Sequence, residues 1–228
     1  TGYTFSGWYT AAAGGSQVTS STTVTATSNH TLYAHWTAAA ETYTVTFNAQ
    51  GGTPPSPASK TVTSGEGYGT LATTSRTGYT FEGWYTAASG GTQVTASTTV
   101  TATSDHTLYA HWTARTYTVT FNAQGGSAPV PASKEVTYDE AYGTLATTSR
   151  TGYTFDGWYT AASGGMQVTT STIVTVTSNH TLYAHWTAET YTLTYGAGTN
   201  GKVEGELEQT VEYGEDGTAV EAVPDATY

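Results

Sequence analysis

Six histidines fall into three pairs spaced five residues apart: His30 with His35, His106 with His111, and His180 with His185. Histidine is a common zinc ligand, but strand side chains alternate, so residues five apart point to opposite faces and cannot chelate one ion within a regular strand. The pairs therefore read as structural, and a zinc site would require different repeats to face each other. Paired carboxylates suggest glycoside hydrolysis. Glu82 and Asp156 share a repeat position and Glu66 matches Glu140, yet Ser6 stands where the remaining acid of the first set would be, a pattern of surface solvation. No nucleophile, base and orienting group occur together, so no catalytic residue and no enzyme activity are expected. The acidic turn Tyr213-Gly214-Glu215-Asp216-Gly217 has oxygen ligands suited to calcium but lacks the D-x-[DN]-x-[DN]-G spacing. No metal or cofactor site is assigned. Lys60 and Lys134, with the recurring Asn48 and Asn122, are residue types that form Lys-Asn crosslinks, but nothing in the spacing enforces contact.

Aromatic residues are the remaining candidates, because sugar rings stack on exposed indole and phenol rings. Trp8, Trp84 and Trp158 follow glycine in GYTFxGWYT, and Tyr33, Tyr109 and Tyr183 sit in TLYAHW. These six are packing or binding positions. Trp36, Trp112 and Trp186 share a strand face with Leu and Ala and are expected in the core.

The elements that position these residues are repeated. GYTFSGWYTAA at Gly2 returns at Gly78 and Gly152, and N/DHTLYAHWTA at Asn29 returns at Asp105 and Asn179, giving offsets of 76 and 74 residues. The two extra residues lie in the connector TAAAET of residues 37–42, which shortens to TART at 113–116. Tolerated length change marks a surface linker. A third block, YTVTFNAQGG at Tyr43 and Tyr117, returns altered as YTLTYGAGTNG at Tyr191. Beyond Thr190 lie eight of the 17 acids. Two phasings are open: three permuted units, 1–76, 77–150 and 151–228, the last with a divergent acidic half; or a half-unit 1–38, units 43–114 and 117–188, and a half-unit 190–228.

Period-two alternation sets Tyr43, Val45 and Phe47 on one face and Thr42, Thr44 and Thr46 on the other, as in a half-buried strand. Threonine makes up about a quarter of the chain, with 26 Gly and 18 Tyr, a vocabulary that favours pleated strands. The expected fold class is mainly β: tandem small modules in an elongated array, with at most short helical pieces near residues 71–76 or in TAASGG. Six Lys+Arg against 17 Asp+Glu, a net charge of -11, exclude a phosphate-neutralising footprint, so neither nucleic acid nor an anionic membrane surface is an expected partner. No cysteine is present, which removes thiolate chemistry and disulfides. No apolar run is long enough to span a bilayer, and any signal or anchor is expected outside this segment.

The ordered blocks YTVTFNAQGG, VTYDEAYGTL, RTGYTFDGWYT and TLYAHW resemble the Listeria-Bacteroides repeat over residues 1 to about 188, and the C-terminal stretch is similar to another secreted bacterial repeat. The resemblance implies a small β-grasp-like or β-rich module of secreted or surface-attached bacterial proteins, including the B-repeat of internalin-type proteins, without catalytic residues. The function it implies is a stalk or adhesive spacer, and the tandem units lead to the expectation of an extracellular stalk, spacer or filament-forming element. The alternative is a multivalent adhesive module for carbohydrate or cell wall. Expected partners are neighbouring repeats or copies of the chain joined head to tail, or a surface glycan.

Overall fold

The computed structural model describes residues 2–225 of the chain. All its regular elements are strands, and no helix occurs among the described residues: residues 71–76 are irregular chain with one isolated bridge at Thr73, and TAASGG forms bends. The chain is mainly β, as its alternation and composition dictate. Contacts divide it into two compact units, residues up to 75 with 81–111, and residues 76–80 with 112 onward.

The second unit contains a five-stranded sheet built from β9 (Thr116–Asn122), β10 (Ser133–Thr137), β11 (Tyr153–Tyr159), β12 (Gln167–Val168) and β13 (His180–Ala188) in the order β10-β9-β13-β11-β12. The first and last strands, β9 and β13, are adjacent and parallel, whereas every other pair is antiparallel. This is a β-grasp-like order. No helix covers the sheet; residues from the loops 138–150 and 169–178 close its core. That core gathers Val119, Phe121, Val136, Tyr142, Trp158 and Leu182 with smaller neighbours.

The first unit supplies most of the corresponding sheet of β4 (Thr42–Asn48), β5 (Ser59–Thr63), β6 (Tyr79–Tyr85), β7 (Gln93–Val94) and β8 (His106–Ala114), ordered β5-β4-β8-β6-β7. Ahead of it, β1 (Tyr3–Tyr9), β2 (Gln17–Val18) and β3 (Tyr33–Ala38) form a three-stranded sheet ordered β2-β1-β3. After β13, β14 (Thr190–Thr194) pairs with β16 (Glu208–Glu212), and β15 (Gly201–Glu204) pairs with β17 (Glu221–Pro224).

One departure from simple alternation decides the core. Phe155 and Trp158 are three apart and would face opposite ways in a regular strand. A bulge between Phe155 and Gly157 shifts the register against β13, with Phe155 opposite Trp186 and Gly157 opposite His185. The unpaired residue turns Trp158 onto the face of Phe155, so their rings meet edge to face with centroids 5.5 Å apart. Gly157 has φ of 135°, a conformation that favours glycine.

The connectors between sheets differ in one detail. After β13, Glu189 bridges alone: its N–H donates to Gly152 O at 2.8 Å and its carbonyl accepts the Tyr213 N–H at 2.8 Å. Arg115 does the same with Gly78 O and Tyr138 N–H. After β3, the two bonds fall on different residues, Ala39 donating to Gly2 O and Glu41 accepting from Ser64 N–H. The two additional connector residues thus split a one-residue bridge.

Candidate functional site

The aromatic positions resolve into two classes. Trp84 and Trp158 are 2% and 1% exposed. Their indole N–H groups donate to Ala72 O and Ala146 O, both at 2.8 Å, and their rings lie against Phe47 and Phe121 at centroid distances of 4.7 and 4.8 Å. They offer no free ring face. Trp8, at the same repeat position, is 49% exposed, and Tyr33 is also exposed. Tyr109 and Tyr183 are half-buried. The face of Leu182 and Ala184 is core as expected, but the core ends there. Trp36 is exposed, and Trp112 and Trp186 are half-buried at the rim, contrary to the expectation that this set lies in the core. Trp186 Nε1 donates to Ala123 O at 2.8 Å.

The histidines of both five-stranded sheets have framework roles. His106 Nδ1 lies 3.1 Å from Ser104 O and His180 Nδ1 lies 3.0 Å from Ser178 O. A carbonyl only accepts, so Nδ1 carries the proton and Nε2 offers its lone pair. Tyr68 and Tyr142 donate to that nitrogen at 2.8 and 2.7 Å. Burial pushes both tyrosine pKa values up. His111 and His185 point the other way, stacking on Tyr85 and Tyr159 with centroids 3.9 Å apart, while Nε2 donates to Ala87 O and Ala161 O at 2.9 Å. Among the described residues no group of three or more His, Asp or Glu is placed to hold a metal ion.

The lysines and acids are similarly placed. Lys60 Nζ donates to Tyr68 O and Thr70 O, and Lys134 Nζ to Tyr142 O and Thr144 O, which directs both amines at backbone carbonyls. Asp156 accepts from Thr187 Oγ1, and Ser6 bonds Thr37 Oγ1 at the equivalent place. In the acidic C-terminal strands Gln209, 8% exposed, replaces the lysine, with its amide closing on Thr218 O and Thr218 N–H.

Two functional positions carried no sequence assignment. The Asn or Asp that opens N/DHTLYAHW is a side-chain acceptor: Asp105 Oδ1 takes the Thr44 N–H at 2.7 Å and Asn179 Oδ1 the Thr118 N–H at 2.9 Å. The interchange of Asn and Asp was the available signal, because the shared feature is an oxygen and not a charge. The other is the tyrosine of EGYGTL and EAYGTL that meets the histidine; its recurrence was visible, but its partner lies 38 residues away.

An open groove of about 340 Å³ lies at the rim of the second unit, lined by Gln124, Arg150, Asp156, Ser163, His185 and Trp186 among others. The Arg150 guanidinium stacks over Tyr153, 3.7 Å from the ring centroid.

The family model of the Listeria-Bacteroides repeat domain matches residues 1–35, 43–111 and 117–185. The chain belongs to that family. It is 35% identical over 147 residues to Internalin H of Listeria monocytogenes, covering 64% of this chain and 25% of that protein. A putative membrane protein of Evansella cellulosilytica is 30% identical over 175 residues, 75% of this chain and 24% of that protein. A putative Gly-rich membrane protein of the same organism is 31% identical over 181 residues, 77% and 19% of the two chains. The chain therefore spans a quarter or less of the length of these relatives. No helix among the described residues is long and apolar enough to cross a membrane.

Proposed function

We propose that the chain is part of a non-enzymatic, extracellular surface protein and serves there as a stalk or spacer. The observation that carries this reading is the use of the reactive side chains: the histidines of both five-stranded sheets, Lys60, Lys134 and Asp156 all hold backbone or neighbouring side chains in fixed geometry. Tandem sheets from one repeat family suit a spacer, because each adds a similar length of folded chain. On this reading its partners are adjoining repeats or other copies of the chain. Antibody labelling of intact cells carrying the full-length protein tests the location. Labelling only after permeabilisation contradicts it, as does hydrolytic or transferase turnover by the purified chain.

The second reading, a multivalent glycan-binding module, draws on the groove beside Trp186, which pairs a partly exposed indole with planar polar side chains. Repetition of weak sites could raise avidity by about 10² to 10⁴. A shift of the Trp186 indole N–H resonance on titration with a glycan panel supports it, and an unchanged spectrum at millimolar glycan removes it.

A further inference from the structure

We propose that each five-stranded repeat is a force-bearing clamp, loaded in shear by tension along the chain and pinned by the side-chain oxygen of Asp105 or Asn179. Its use in the organism rests on the stalk reading, but its resistance to force is measurable without that reading.

The argument begins with topology. In residues 116–188 the chain enters at the start of β9 and leaves at the end of β13, and these strands lie side by side and parallel. Tension that separates Thr116 from Ala188 therefore drives the two strands past each other along their length. The ladder between them, from His180 opposite Val119 to Tyr183 opposite Asn122, takes the load all at once. The β9–β10 hairpin is different. Thr116 faces Thr137 across it, so pulling on that open end breaks one rung after another. The sheet of residues 42–114 has the same arrangement, with Val45 opposite His106 through Asn48 opposite Tyr109.

The pin comes just before the ladder. Asn179 Oδ1 accepts the Thr118 N–H, and Asp105 Oδ1 accepts the Thr44 N–H, which extends the parallel join toward the end of β9 or β4 where force enters. Behind the rungs lie Val119, Phe121 and Leu182, exposed at 0, 4 and 0%. Water has little access from that side to replace a stretched bond, so breaking a rung exposes an unpaired polar group. β13 is further held by its antiparallel register with β11 from Tyr159 opposite Tyr183 to Tyr153 opposite Ala188, which leaves the β9–β13 seam as the element that must slip.

The chain has no cysteine, so introduced cysteines are unique handles for single-molecule force spectroscopy on the full chain. One variant carries Thr116→Cys with Ala188→Cys and loads the seam in shear; another carries Thr116→Cys with Thr137→Cys and opens the hairpin. At one loading rate the first is expected to rupture at the higher force, in a single event releasing roughly 25 nm of chain. Asn179→Ala should raise the unfolding rate at fixed force about three- to tenfold in the shear geometry, the equivalent of one hydrogen bond. It should have a smaller effect on the first opening of the hairpin. Asn179→Asp should restore the shear strength, since Asp105 serves the other sheet. Equal rupture forces in the two geometries overturn the clamp. An Asn179→Ala effect of the same size in both, or no rescue by Asp, overturns the pin.

Discussion

Residues 3–38 and residues 153–188 carry nearly the same sequence, and their β1-β3 and β11-β13 ladders share the same register and the same bulge. Their burial is opposite. Trp8 is 49% exposed and Trp36 59%, whereas Trp158 is 1% exposed and Trp186 half-buried. Local features survive in both: His35 still stacks on Tyr9 at 4.0 Å and bonds Ala11 O, as His185 does with Tyr159 and Ala161. The difference is the hairpin β9–β10 and the loop after it, which bring Phe121 onto Trp158, Ala146 O onto its N–H and Tyr142 onto His180. The three-stranded piece thus specifies its own pairing and turns, and the first hairpin supplies its core.

The largest test of that comparison is the tryptophan itself. Trp158→Ala should cost about 3–5 kcal/mol through lost burial and a cavity. Trp8→Ala should cost less than about 1 kcal/mol. Denaturant titrations of the two variants check this, and equal losses would mean that residues 2–39 bury Trp8 as completely as the full sheet buries Trp158.

A smaller effect is expected at the tyrosine that meets the histidine. Tyr142→Phe removes its hydrogen bond to His180 and should cost about 0.5–1.5 kcal/mol at neutral pH. Burial raises the pKa of Tyr142 above its ordinary value of 10.0. A group bound more tightly to its proton in the folded state stabilises fully below the unfolded pKa, and that contribution is lost as pH rises through the folded pKa. Wild-type stability should therefore fall above about pH 10, and Tyr142→Phe should flatten that fall, as read from denaturation midpoints on the alkaline side.

The smallest expected effect concerns the connectors. The ring of Tyr213 lies over Gly152, where φ is +76° and a Cβ would collide with ring atoms, and its edge meets Tyr153 with centroids 5.9 Å apart. The first connector has Ser64 in place of that tyrosine, and a Cβ at Gly2 would meet nothing within 4 Å. Glu41 and Glu189 occupy matching connector positions, each accepting a tyrosine hydroxyl from two residues on. A glutamate-specific protease should cut after Glu41 about three- to tenfold faster than after Glu189, the equivalent of one aromatic contact, with the ratio read by mass spectrometry under native conditions. Tyr213→Ser should bring the two rates together.

Much of this was legible in the residues themselves. Alternation in TYTVTF and TLYAHW placed Val45, Phe47, Leu182 and Ala184 on buried faces, because a strand's two-residue period is a local property. The opposite facing of His180 and His185 followed from the same period, and the one bonds Tyr142 while the other stacks on Tyr159. Family membership, too, lay in the ordered blocks, and the extra connector residues were countable. The face that Trp158 takes was not legible. Alternation sets Phe155 and Trp158 on opposite faces, and only the bulge at Gly157, fixed by pairing with a strand about thirty residues on, turns them together. Nor could local pattern show that Asn179 reaches Thr118 or that the first and last strands lie parallel, since both depend on which strands meet after some 60 residues of intervening chain have folded. Residue order determined the strands, their faces and their turns; tertiary structure decided the pairing between distant strands, because that pairing is chosen by the shared core and not by any segment alone.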